Sequence, residues 1–135
     1  MPIQRQLLTI AAAVESLTGL ALIRAPEATA MFILGAKPNV AGVMLGRIGG
    51  VALMVLGIAC WGARNDSGSA ARSGTLKAIT SYNAGVGLLL VLFAAIAKTG
   101  GIVLWSAGVL HLALAAAFAI SFRRPKETSS TKSGA

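Results

Sequence analysis

The stretch V43-M-L-G-R-I-G-G-V-A-L-M-V-L-G-I-A-C-W-G-A63 carries one charge, Arg47, among residues that are otherwise apolar or small. At about 1.5 Å of rise per residue it makes a helix of roughly 31 Å, the thickness of a bilayer's hydrocarbon core. Working outward from it, three further stretches have the same character: Leu7–Arg24, Leu76–Ala97 and Ile102–Phe122. The sequence therefore predicts an all-α membrane protein, with four transmembrane helices over about 7–24, 43–63, 76–97 and 102–122. Residues 1–122 form one domain, followed by a polar, basic and disordered cytoplasmic tail over 123–135.

Composition supports this reading. Apolar residues are 56% of the chain and charged residues 12%, about half the charged share of a typical soluble domain. A soluble chain of 135 residues could not hide four wholly apolar helices, because small domains leave much of their surface in water.

The net charge of +8 is distributed by topology. Arg5, Arg64, Arg72, Lys77, Arg123, Arg124, Lys126 and Lys132 lie before the first span, between the second and third or in the third's first turn, or after the fourth. Only Arg24, Lys37 and Lys98 lie in the other two connections. That bias places both termini in the cytoplasm and gives an up-down antiparallel bundle in the cytoplasmic (inner) membrane. The partners expected are the lipid bilayer itself and a membrane protein or second copy of the chain. A nucleic acid is not expected, since the charge is accounted for by topology and attraction to anionic lipid. The first span is expected to be retained, because Glu15 and Arg24 interrupt what would be the core of a cleaved signal.

Pro26 follows the first span and suits the first turn of a new helix. Residues 27–36 (EATAMFILGA) are too short to cross, and predict a short helix lying at the outer surface. Arg64–Thr75 reads as a flexible loop, and Lys98–Gly101 as a tight outer turn that makes the last two spans neighbours. Gly42, Gly46 and Gly50 recur every four residues, with Gly49 and Gly57 nearby, which predicts close helix contact along the second span.

Depth singles out the polar residues. Glu15 lies at the middle of the first span and His111 near the middle of the fourth. Asn83, with Tyr82 beside it, lies about 5 Å to the cytoplasmic side of the third span's middle. Arg47 lies about 9 Å to the outer side of the second span's middle. Side chains lean toward their own helix N-terminus, so Glu15, Tyr82 and Asn83 lean one way while His111 and Arg47 lean the other. Glu15 is expected to bond Asn83 or Tyr82, with His111 near, rather than to pair with Arg47.

A mid-membrane carboxylate costs several kcal/mol unless paired, hydrated or protonated. Glu15 is accordingly either a proton-exchanging or ligand-binding group, or a bonded carboxyl that fixes helix register. Asn83 and Tyr82 read as bridging groups, His111 as a satisfied core residue, and Arg47 as snorkelling outward or holding an anionic group. Cys60 is the one cysteine and His111 the one histidine, so no metal site, no cofactor and no internal disulfide is expected. No catalytic signature is present: there is no CxxC, HExxH, phosphate loop or Gly-x-Ser-x-Gly elbow.

The segments AVESLTGLALIRAP (13–26), LGRIGGVALMVLGIACW (45–61), SYN (81–83) and LWSAGVLHLALA (104–115) resemble uncharacterised small bacterial four-helix inner-membrane proteins, loosely DoxX-like in layout. That resemblance implies a fold and a location, not an activity. Glu15 in mid-helix and the segment Asn83-Ala84-Gly85-Val86-Gly87 also resemble the small multidrug-resistance transporters, though the tryptophan of their Trp-x-Gly-x-Gly segment is missing and the first outer connection is longer. That likeness implies proton-coupled export. The sequence itself reads as a non-enzymatic accessory, interaction or small-ligand-binding membrane protein, with transport or an enzyme acting on a lipid-soluble substrate as alternatives.

Overall fold

A computed structural model describes residues 2–66, 68–97 and 101–123. These form five helices: α1 (Pro2–Arg24), α2 (Pro26–Leu34), α3 (Val40–Ala63), α4 (Ala70–Ala97) and α5 (Ile102–Arg123). Four of them are long and apolar enough to cross a membrane, and α2 is the short helix expected after Pro26. Their outward faces carry large apolar side chains, among them Leu17, Phe32, Leu45, Ile58, Leu89 and Ile96. A soluble monomer rarely exposes so much apolar surface; hydrocarbon is its matching solvent, and the chain is a multi-pass membrane protein.

Three helices start earlier than the apolar stretches do. Pro2–Gln6, Val40–Gly42 and Ala70–Thr75 are helical, and α1 and α4 are thereby extended by polar turns. The expected loop over 64–75 is thus shorter, and capping accounts for the difference. The Asp66 carboxylate accepts the Gly68 and Ser69 amides, both at 3.2 Å, and the Ser69 hydroxyl. The Ser69 oxygen in turn accepts the Arg72 amide at 3.1 Å, closing the first turn of α4. The Ser69 hydroxyl and backbone amide hold the Asp66 carboxyl below its ordinary range. At the other end, Gly35 closes α2 in the left-handed conformation (φ 70°) and Asn39 caps α3 by accepting the Gly42 amide at 2.8 Å. The expected tail over 123–135, including the Arg123–Arg124 anchor, and the tight turn at 98–101 lie outside the described residues except for the Arg123 backbone and Gly101.

The long helices associate most closely as two pairs, α1 with α3 and α4 with α5. Glycine sets both contacts. A Cβ built on Gly50 would sit 2.6 Å from the Gly19 carbonyl oxygen, and one on Gly19 would sit 2.6 Å from the Gly50 oxygen. Further along, a Cβ on Gly57 would strike the Ser16 hydroxyl and come within 3.0 Å of the Ala12 oxygen. Backbones touch here, which is how helices gain attraction in a solvent as apolar as their own side chains. In the other pair, Gly87 faces Leu112 at 2.8 Å and Gly108 faces Val91 at 2.8 Å, by the same measure. Within the first pair the contacts run in opposite sequence order, Gly19 against Gly50 and Ala12 against Gly57, so α1 and α3 are antiparallel.

Of the glycines expected on one face of α3, Gly46 (against Pro26), Gly50 and Gly57 do face α1 and the start of α2. Gly49 meets nothing, and Gly42 meets only Pro38 and its own cap. The two pairs meet in a core of Leu8, Ala11, Ala12, Cys60, Ala63, Leu76, Ile79 and Phe118. Cys60 is buried there as the packing thiol expected. At that end Arg72 donates to Gln4 Oε1 at 3.2 Å and to the Asp66 carbonyl, while Gln4 Nε2 donates to the Ser121 carbonyl at 3.2 Å. This polar clasp ties the start of α1 to the start of α4 and the end of α5.

The α1–α3 contact predicts a sharp difference between neighbouring glycines. Gly50→Ala should lower unfolding stability in mild detergent by about 1–3 kcal/mol, the usual cost of overpacking. Gly49→Ala should change it by no more than about 0.5 kcal/mol. Equal losses from the two variants would contradict the packing described.

Candidate functional site

Glu15 is placed by the same helix face that makes the glycine contact. Ala12, Glu15 and Gly19 recur at helical spacing and point inward together, so seating α1 on α3 carries the carboxyl into the protein. Glu15 is 1% exposed, one turn beyond the shared core residues Ala11 and Ala12. Its Oε1 has no hydrogen-bond partner. Among the described residues it is the sole buried side-chain polar atom so left. That is unusual, because buried polar atoms are nearly always bonded.

The side chains beside it come from α3 and α4. The Tyr82 hydroxyl of α4 and Cys60 of α3 are the polar groups beside the carboxyl, and neither is joined to it by a hydrogen bond. The Tyr82 ring meets His111 of α5 edge to face, with centroids 5.9 Å apart and planes 79° apart, a favoured aromatic geometry. His111 Nδ1 lies 2.8 Å from Asn83 Oδ1. Asn83 is fully buried and its Nδ2 donates to the Ile79 carbonyl at 2.9 Å.

These bonds fix the role of each nitrogen. Asn83 spends its NH2 group on Ile79, so its Oδ1 faces His111 and accepts. His111 must then donate from Nδ1, which leaves the lone pair of Nε2 for another donor.

Of the five residues singled out by sequence, four are neighbours. Glu15 meets Tyr82, Tyr82 meets His111, and His111 bonds Asn83. Of the two partners expected to bond Glu15, neither does: the Tyr82 hydroxyl stands beside the carboxyl without a hydrogen bond to it, and the α4–α5 pairing turns Asn83 toward His111. Arg47 stands apart. It is exposed on α3 among the exposed apolar residues Met44, Leu45, Ile48 and Val51, and among the described residues it has no ion pair or hydrogen bond. The acid of α2, Glu27, is 3.7 Å from Lys37. Geometry adds to the sequence reading the polar clasp of Gln4, Arg72 and Ser121. Nothing in a search for apolar runs marks it, because these residues lie at or beyond the ends of the apolar stretches.

No family model, curated protein or solved structure matches the chain.

The chain's single histidine gives the site its own spectroscopic probe. Nitrogen NMR of the 15N-histidine protein should show Nδ1 protonated and Nε2 bare, and Asn83→Ala should abolish that preference while lowering stability by roughly 0.6–1.7 kcal/mol. Protonation of Nε2 in the wild-type protein would refute the described network.

Proposed function

We propose that the protein is a four-pass protein of the cytoplasmic membrane. It is an up-down bundle with both ends in the cytoplasm, and it binds a small lipid-soluble ligand at the layer formed by Glu15, Tyr82, His111 and Asn83. The role is non-enzymatic, that of an accessory or binding protein. One observation carries this reading: a carboxyl buried at mid-span with Oε1 left without a hydrogen-bond partner. A carboxyl that merely fixed helix register would spend both oxygens on neighbouring helices. Here Asn83 and His111 bond each other, and Oε1 is left for something the chain does not supply. Tyr82 touches both Glu15 and His111, so the two candidate proton-transfer groups do not converge on one reacting atom. That counts against the enzymatic alternative.

Proton-coupled transport is the second reading, favoured by the position of Glu15 beside the shared core of two tightly knit helix pairs. In it, Glu15 exchanges a proton for substrate as the pairs shift. Arg47 belongs to neither site and snorkels to the outer headgroups, its side chain leaning that way along α3.

Thermal unfolding of the detergent-purified protein with decylamine, decanol or decanoate tests the binding reading. At 100 times its dissociation constant, a ligand that binds the native state stabilises it by ~2.7 kcal/mol. At least one compound should stabilise the wild-type protein and leave Glu15→Gln unmoved. Identical responses of the two proteins to all three compounds would overturn the reading.

A further inference from the structure

The face of α1 that turns away from α3 borders a groove. Leu17 and Ala21 stand two residues to either side of Gly19, about 200° around the helix from it, and Gly19 is the residue that meets Gly50 of α3. On that far side Leu17, Thr18 and Ala21 make one wall of a chiefly apolar groove of about 430 Å³. Thr29, Phe32 and Ile33 of α2 make the other. The volume falls within the range of ligand clefts, roughly 300–1,000 Å³. The Thr29 hydroxyl is donated to the Ala25 carbonyl at 2.9 Å and asks nothing of an occupant. Leu17 and Phe32 are 68% and 70% exposed, so the groove opens on the surface that faces hydrocarbon. An apolar groove in that setting takes a hydrocarbon chain, because an empty one forfeits its dispersion contacts and water does not fill it.

One end of the groove is cationic. Leu17, Ala21 and Arg24 recur at i, i+4 and i+7, which puts Arg24 on the groove's side of α1 at the end of the helix. Helical side chains lean over the residue three or four before them, here Ala21 or Leu20. Arg24 is exposed and, among the described residues, has no ion pair or hydrogen bond. The nearby acid Glu27 does not oppose it. Thr29, Phe32 and Ile33 lie about 140–240° around α2 from Glu27, so that carboxylate is turned from the groove, and Lys37 is 3.7 Å from it. The start of α2 has no side-chain cap, so its positive end adds to the same corner. A zwitterionic headgroup brings its own ammonium to its phosphate. An anionic phospholipid brings none, which leaves the phosphate oxygens for the two-pronged guanidinium.

We propose that this groove holds an acyl chain of one anionic phospholipid, whose phosphate pairs with Arg24. The site is separate from the Glu15 layer, which lies on the α3 side of α1. Arg47 supplies the comparison. Gly46 beside it faces Leu22 and Pro26, so Arg47 lies near the level of Arg24, yet on α3, with α1 between it and the groove. A general attraction of this end for anionic lipid would draw on both arginines alike; a built site draws on Arg24.

Native mass spectrometry of the full chain in mild detergent counts the lipid retained during titration with phosphatidylglycerol or phosphatidylcholine of identical chains. One phosphatidylglycerol should bind saturably and about fivefold more tightly than phosphatidylcholine, the scale of one arginine's attraction to anionic lipid. Arg24→Gln should erase that preference, and Arg47→Gln should keep it. Ala21→Phe fills the groove and should weaken both lipids. Glycerol 3-phosphate, a headgroup without chains, should not displace the bound lipid. All three substituted positions are exposed, so circular dichroism should show wild-type helix content in each variant. Equal affinity of the two lipids for the wild-type protein would overturn the proposal. So would equal losses in the two arginine variants, unchanged retention in Ala21→Phe, or displacement by glycerol 3-phosphate. None of these results bears on the Glu15 reading.

Discussion

Helices in hydrocarbon gain nothing by hiding leucine from lipid, so association has to come from contact between backbones. The fold depends on that constraint. Gly19 and Gly50 let α1 and α3 approach until a single added Cβ would stand 2.6 Å from a carbonyl oxygen, and Gly57 against Ala12 and Ser16 extends the seam. Everything functional follows from seating α1 in this way. The face of α1 that carries Ala12 and Gly19 also carries Glu15, so the contact that holds the helices together also forces a carboxyl into the interior. The structure leaves the cost of its burial unmet at Oε1, which has no hydrogen-bond partner.

The four spans were legible because a chain that folds in water has no use for four separate apolar runs of bilayer length. Helix ends were less so. Pro2–Gln6 and Ala70–Thr75 are helical yet partly polar, and hydropathy ends where the hydrocarbon does, not where hydrogen bonding does. Asp66 and Ser69 form a cap, but their setting among Ser and Gly residues has the composition of a loop. The glycine series shows another limit. Residues four apart advance about 40° around a helix beyond a full turn, so Gly42 and Gly50 are turned well away from each other. Gly46, Gly50 and Gly57 stay on the contacting face, and Gly42 falls at the cap.

That several of the polar residues would be neighbours was likewise legible, and orientation around the helix axis was not. Counting residues from span ends brought Glu15, Asn83 and His111 to one level, and Asn83 and His111 do bond each other. Which neighbour each faces depends on helix pairing, which rise per residue does not encode. Since α4 pairs with α5, Asn83 turns to His111, and Tyr82, one residue before it, takes the place beside Glu15. The side-chain lean that separated Arg47 from Glu15 agrees with their placement, one exposed on α3 and the other enclosed. The outcome is a polar layer in which Asn83 and His111 bond each other and Glu15 Oε1 is left without a partner.

The central claim is that Glu15 lies inside the protein, coupled to Tyr82 across the junction of the two helix pairs, rather than facing lipid or a second copy of the chain. A double-mutant cycle of Glu15→Gln and Tyr82→Phe, read as unfolding free energy in bicelles at a protein concentration low enough to exclude dimers, measures that coupling directly. The account predicts an interaction energy of about 0.6–1.7 kcal/mol, the range of polar contacts between membrane helices. Strict additivity of the two substitutions would contradict it.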